Sequence, residues 1–145
     1  MRLLLDTHAL LWWLAGDQRL SRAARLAIDS PDAEVLVSVV SVFEIATKHR
    51  IGKLPLRPEI GADLIGTITG HGFGHLPLDP KSAERAGRLP GPHRDPFDRL
   101  LIAQAISGDF ALVSNEAAFD VYGVRRLWLG QAVARAPSRS GASAS

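Results

Sequence analysis

The chain has 145 residues, 46% of them hydrophobic, which is enough for one domain with a real core and too little for two comfortable ones. It has no cysteine, which excludes disulfides, thiolate metal sites and cysteine nucleophiles and fits a reducing compartment. The pI near 9.5 belongs to a chain whose net charge is only +2. With no Cys and one Tyr, little titrates between neutrality and pH 9, so a small excess of Arg moves the pI far. Arg135 and Arg139 lie in an acid-free tail, and setting them aside leaves 15 basic residues against 15 acidic ones. Charge alone makes no case for nucleic acid, so such a case has to come from a site.

Residues 3–5 are three leucines, a continuous apolar run that predicts a strand buried on both faces. Arg2 before them has the look of a signal-peptide start, but Asp6 and His8 interrupt the apolar run, and 9–15 is far too short to span a membrane. A soluble intracellular (cytoplasmic) protein with no membrane partner is expected. Asp6-Thr7 offers an N-cap to an apolar helix over 9–15, stopped by Gly16. Ser21 caps a second helix over 22–29, and a Ser-Pro-Asp turn at 30–32 leads into a Val-rich strand over 35–39. Ser41 and Glu44 have the spacing of a capping box and open a helix to about residue 51, broken by Gly52, Pro55 and Pro58.

Further on, the pattern predicts a helix over 59–69, a weaker strand over 73–78 and a helix over 81–89. After a Pro-Gly-Pro loop, Asp95-Pro96 is an N-cap followed by proline at the first helical position, opening a helix over 97–106 that Gly108 closes. A strand over 110–114, a helical turn over 116–119 and a last strand over 124–129 complete a domain placed at 1–133. The tail 134–145 is Ser, Ala, Arg and Pro with one Gly and is expected to be disordered. Strands alternate with helices almost throughout, which argues an α/β domain around a parallel sheet.

Four acids stand where strands give way to helices: Asp6, Glu44, Asp98 and Glu116. In open α/β sheets that edge is where ligands bind. Four carboxylates converging there repel one another unless a cation holds them, and Mg²⁺ or Mn²⁺ takes oxygen ligands of this kind. Each acid also has a structural reading. Glu44 stands where a capping box wants glutamate, Asp98 is in the first turn behind a capping Asp95, and Glu116 alone says little. Asp6 is harder to explain that way, because a charge directly after a buried strand is costly without a partner.

At these residues the chain resembles the PIN-domain nucleases, above all the VapC-type toxins. The resemblance is carried by LLLDTHALLWWL at 3–14, SVVSVFEIATKHRIGKL at 38–54, HRDPFDRLLIAQAI at 93–106 and LVSNEAAFDVYGVRRLW at 112–128. It implies a three-layer α/β/α sandwich with a short central parallel sheet. It also implies a magnesium-dependent endoribonuclease, with Mn²⁺ able to substitute, in which a metal-activated water cleaves an RNA phosphodiester. Asp6, Glu44 and Asp98 match the family's three principal acids, with Asp6 and Asp98 as the metal ligands and Glu44 helping to orient or deprotonate the water. The family's fourth acid is an Asp just after a Thr or Ser. Here Ser114 is followed by Asn115 and Glu116, so Glu116 takes that place with a longer reach and Asp120 is the weaker substitute. Asp95 and Ser114 are supporting residues. The resemblance implies a cognate antitoxin protein and a homodimer as partners besides RNA.

Other features carry two readings each. Trp12 and Trp13 are core, or part of a dimer or antitoxin interface. Lys48, Arg50, Lys53, Arg94 and Arg99 are phosphate contacts or solvated charge. His71 and His75 have a zinc-like spacing, but no further ligand is evident. Two rivals remain: a catalytically silent PIN-like interaction module, and an aspartate-based phosphatase or receiver domain built on Asp6. The second usually needs another Asp two residues later, where this chain has His8.

Overall fold

The computed structural model describes residues 1–129, so the expected domain end at 133 and the tail 134–145 lie outside the described residues. Five strands form one sheet: β1 (Arg2–Leu5), β2 (Glu34–Ser38), β3 (Gly74–Leu76), β4 (Ala111–Val113) and β5 (Arg126–Leu127). Their order is β3-β2-β1-β4-β5 and every pair is parallel. β1 lies at the centre, with Leu3 opposite both Val35 and Ala111. This explains the unbroken leucines, since a central parallel strand is covered on both faces.

Alternation along β1 divides the core into two layers. Leu3 and Leu5 join a cluster with Leu10, Leu14, Ile28, Ile45, Ile60 and Ile68. These residues belong to α1 (Thr7–Ala15), α2 (Arg22–Asp29), α3 (Val39–Arg50), α4 (Pro58–Ala62) and α5 (Leu64–Gly70). Leu4 points the other way, to Ile102, Leu112, Phe119 and Val124. That face is covered by α7 (Pro96–Gly108), backed by α6 (Pro80–Arg88), and by a 3₁₀ turn over Ala117–Tyr122. The result is the expected α/β/α sandwich. Among the described residues no helix is long and apolar enough to cross a membrane.

Three local expectations need correction. The helix over 59–69 is two helices, because Asp63 leaves helical geometry (φ −151°) and its carboxylate accepts the Gly66 N–H at 2.9 Å, capping α5 afresh. Gly108 does not end α7 from outside but is its last residue. A Cβ there would fall 2.2 Å from the Phe110 ring, and Asp109 takes the left-handed cap (φ 56°). The last strand is only Arg126–Leu127.

The sheet order sets the site. From β1 the chain builds outward through β2 and β3, then returns to lay β4 and β5 on the other side. The switch point is the crevice between β1 and β4 at their carboxyl ends. Asp6 follows the one strand and Ser114 the other, and the Asp6 N–H donates to the Val113 carbonyl at 3.1 Å across the join.

Candidate active site

Asp6 caps α1, accepting the Ala9 N–H at 2.7 Å, yet it is only 6% exposed. Burial pushes its pKa up to about 6, against the pull of the Ser114 hydroxyl, the Ala9 amide and His8, and the Asp98 charge adds to the rise. Ser114 is fully buried and its oxygen also accepts the Glu116 N–H at 3.0 Å, so one hydroxyl links β4 to both acids' backbones or side chains. A cap needs no such burial, and an exposed aspartate would cap as well.

Asp95 is that exposed counterpart. Its Oδ1 accepts the Phe97 N–H at 2.9 Å and the Asp98 N–H at 3.3 Å, which fixes the first turn of α7. The Asp98 side chain is therefore not needed for capping. Its Oδ2 accepts His93 Nε2–H at 2.7 Å. Burial raises the Asp98 pKa, His93 pulls it the other way, and the Asp95 and Glu44 charges raise it further. Asp98 thus acts electrostatically on Asp6, and Glu44 on Asp98.

Glu44 is not in a capping box. Ser38 caps α3 instead, accepting the Val40 N–H at 3.0 Å, so the helix starts one turn earlier than the Ser-x-x-Glu spacing predicts. Ser41 and Glu44 then lie one turn apart on the buried face of α3. The Thr7 hydroxyl is 2.7 Å from Glu44 Oε1 and 2.9 Å from Ser41 Oγ. A hydroxyl has one proton, so Thr7 donates to Glu44 and Ser41 donates to Thr7. Lys48 Nζ donates to the other Glu44 oxygen at 2.7 Å, and its own pKa is raised chiefly by that contact. Both oxygens of Glu44 are engaged.

The remaining assignments divide. Glu116 is exposed, stands at the start of the 3₁₀ turn with no side-chain cap, and acts electrostatically on Arg126. Asp120 is tied to Arg126 by contacts of 2.8 and 3.1 Å, which hold its carboxyl below the ordinary range and leave it a structural role. Arg99 is not free for phosphate: it donates to the carbonyls of Ala86, Leu89 and His93. Lys48 is committed to Glu44, whereas Arg50, Lys53 and Arg94 are exposed and make no ion pair among the described residues. His71 accepts from Trp13 Nε1 at 3.2 Å and His75 pairs with Thr69, so the zinc-like spacing has a structural explanation. Trp13 packs on Phe73, and Trp12 stacks on His8 with Arg19 over its ring.

Sequence spacing assigns no role at the site to Thr7, Ser41 or His93, and does not show the buried Ser38–Gln104 contact of 2.5 Å, which ties α3 to α7. Only Thr7 carried a signal, as a hydroxyl beside a costly aspartate.

The donors suit a hard cation. Asp6 and Asp98 offer carboxylate oxygens in a crevice where burial penalises their charge and no lysine or arginine pairs with either among the described residues. Among those residues no three His, Asp or Glu side chains gather closely enough to hold a metal ion between them. A Mg²⁺-like ion, which keeps much of its water, fits two such donors better than a metal that wants a full protein shell.

The order of strands, the crevice between β1 and β4, and the acids around it define an α/β domain with a buried acidic site at its switch point. Residues 3–124 match the PIN domain family. Ribonuclease VapC22 of Mycobacterium tuberculosis is 34% identical over 114 residues, 78% of this chain and 85% of that protein. The chain belongs to the PIN-domain family, alongside the VapC proteins. Two solved structures have the same fold. VapBC2 from Rickettsia felis, bound to a DNA fragment from its promoter, aligns with a TM-score of 0.65 at 16% identity over 84% of this chain and 93% of that one. VapBC-5 from Mycobacterium tuberculosis, a member of a toxin–antitoxin family, gives 0.52 at 20% identity over 83% and 89%.

Proposed function

We propose that this chain is an endoribonuclease that hydrolyses RNA phosphodiesters with the help of Mg²⁺ or Mn²⁺, and that it serves as the toxin of a toxin–antitoxin pair. The observation that carries the reading is the pair Asp6, buried, and Asp98, part-buried, both raised chiefly by burial, with no lysine or arginine paired to either among the described residues. The kinship with a VapC ribonuclease supplies the substrate class.

Asp6 and Asp98 would hold the cation. Bound there, it would lower the pKa of water and offset charge on a phosphate in the transition state. Thr7 and Lys48 fix the Glu44 carboxylate on both oxygens. A carboxylate so engaged is better suited to orienting a nucleophilic water than to taking its proton. Ser114 holds Asp6 from the far side of the crevice, Asp95 sets the helix turn that carries Asp98, and Glu116, whose backbone N–H bonds Ser114, would be the fourth acid. Arg50, Lys53 and Arg94 are the cations available for RNA phosphates.

A cognate antitoxin and a second copy of the chain are the protein partners, and the cytosol, where RNA is the target, is the compartment. A groove of about 480 Å³ runs along α1 between Trp12 and Leu54–Arg57 and begins at His8, two residues from Asp6. A partner segment lying in it would run beside α1, the helix that Asp6 caps.

The direct test incubates the purified chain with total RNA in Mg²⁺, in Mn²⁺ and in EDTA. Discrete fragments are expected with either ion and none in EDTA. Asp98→Asn should lower the cleavage rate by at least about a hundredfold, as loss of a metal ligand does. No cleavage together with no cation binding in calorimetry would favour a silent interaction module.

A further inference from the structure

The segment between α6 and α7 contains Pro90, Gly91 and Pro92, a composition that does not order itself. Two residues grip it from different elements. Arg99, in the second turn of α7, donates to the carbonyls of Ala86, Leu89 and His93, the last at 2.8 Å. Tyr122, from beyond β4, accepts the His93 N–H on its hydroxyl at 2.9 Å. Its ring lies where a side chain on Gly91 would be: a Cβ there would stand 2.7 Å from the ring, and Gly91 has φ +114°. Both grips converge on His93.

The His93 ring is also constrained. It meets the buried Phe119 edge-on, with centroids 5.4 Å apart, and its Nε2–H points at Asp98 Oδ2. Among the described residues Asp98 Oδ1 has no hydrogen-bond partner. A carboxylate on a short side chain turns freely about its last torsion unless one oxygen is fixed.

We propose that His93 is a positioning residue of the cation site: by holding Asp98 Oδ2 through Nε2, it fixes the carboxylate plane and leaves Oδ1 as the oxygen offered to the metal. Arg99 and Tyr122 act one step further back, by holding His93. The inference rests on the metal-dependent reading above and adds a residue to it. Outer partners that orient a ligand typically change metal affinity by about 10- to 100-fold when removed.

Calorimetric titration of the whole chain with Mn²⁺, and then Mg²⁺, tests this, with thermal melts in EDTA as the check on folding. His93→Phe keeps a ring against Phe119 and removes the donor. Its cation affinity should fall about tenfold or more, and the Mg²⁺ concentration needed for half-maximal cleavage should rise by the same factor. His93→Gln carries an amide N–H near the place of Nε2 and should recover most of the affinity. Tyr122→Phe should weaken binding by about two- to fivefold, and it serves alone if His93→Phe does not fold. Wild-type affinity in a folded His93→Phe chain, or a His93→Gln chain as weak as His93→Phe, would overturn the proposal while leaving the nuclease reading intact. Absence of cation binding in the unaltered chain would overturn that reading and this proposal together.

Discussion

The two ends of the sheet treat polar residues in opposite ways. At the amino ends Arg2 pairs with Glu34 at 3.3 Å, with side chains 51% and 61% exposed, and Arg125 reaches Asp109 at 2.9 Å. At the carboxyl ends Asp6, Thr7, Ser38, Ser41, Glu44 and Ser114 are all buried. Exposed pairs of the first kind contribute about 0–1 kcal/mol and mark ordinary surface. A buried acid with no lysine or arginine partner, as at Asp6, costs stability, and a fold retains it where its chemistry is used. The proposed site lies at the end where burial and charge coincide.

That contrast can be broken by substitution at either end. After the loss at Asp98→Asn, the next largest effect is expected at Glu44→Gln, which keeps the shape but leaves Lys48 facing a neutral group. Cleavage of a defined RNA should fall by roughly 10- to 100-fold, and urea melts should show a loss of about 1–3 kcal/mol. Unchanged cleavage would make Glu44 a structural member of the edge and narrow the active set to the two aspartates. The smallest effect belongs to the other end. Glu34→Ala should change unfolding free energy by less than about 0.5 kcal/mol and leave cleavage untouched. A loss of several times that size would remove the distinction between the two ends.

Much of this arrangement was legible in the sequence. Leu3–Leu5 followed by Asp6 reads as a buried strand ending in a costly charge, and the structure places both so. Asp95-Pro96 marks the start of α7 correctly, because the cap and the proline act locally. Glu44 was legible as an acid of interest but in the wrong local setting. Ser41 and Glu44 have one spacing whether they cap a helix or share its inner face, and Ser38, the real cap, sits inside a pattern that reads as strand. The break at Asp63 was missed because its cap hydrogen bond competes with helix propensity in a way spacing does not show. His93 was out of reach for another reason. Its place depends on Arg99 and on Tyr122, 29 residues away, and loop conformation set by distant partners leaves no periodic trace.

Asp6 is a carboxylate kept at the cost of stability. Its folded pKa, about 6, lies above its ordinary value of 3.8. A carboxyl shifted upward adds stability while protonated, fully below about pH 4, and that contribution is lost as pH rises through about 6. At neutral pH the penalty is on the order of 3 kcal/mol before relaxation. Asn caps a helix as well as Asp and carries no charge. The decisive measurement is the unfolding free energy of the unaltered chain and of Asp6→Asn in EDTA, from pH 4 to pH 8. The account predicts that Asp6→Asn is the more stable by about 1–3 kcal/mol at pH 7.5, and that the difference shrinks toward zero near pH 4. An Asp6→Asn chain less stable than the original at pH 7.5 would mean that the charged carboxylate supports the fold, and would contradict it.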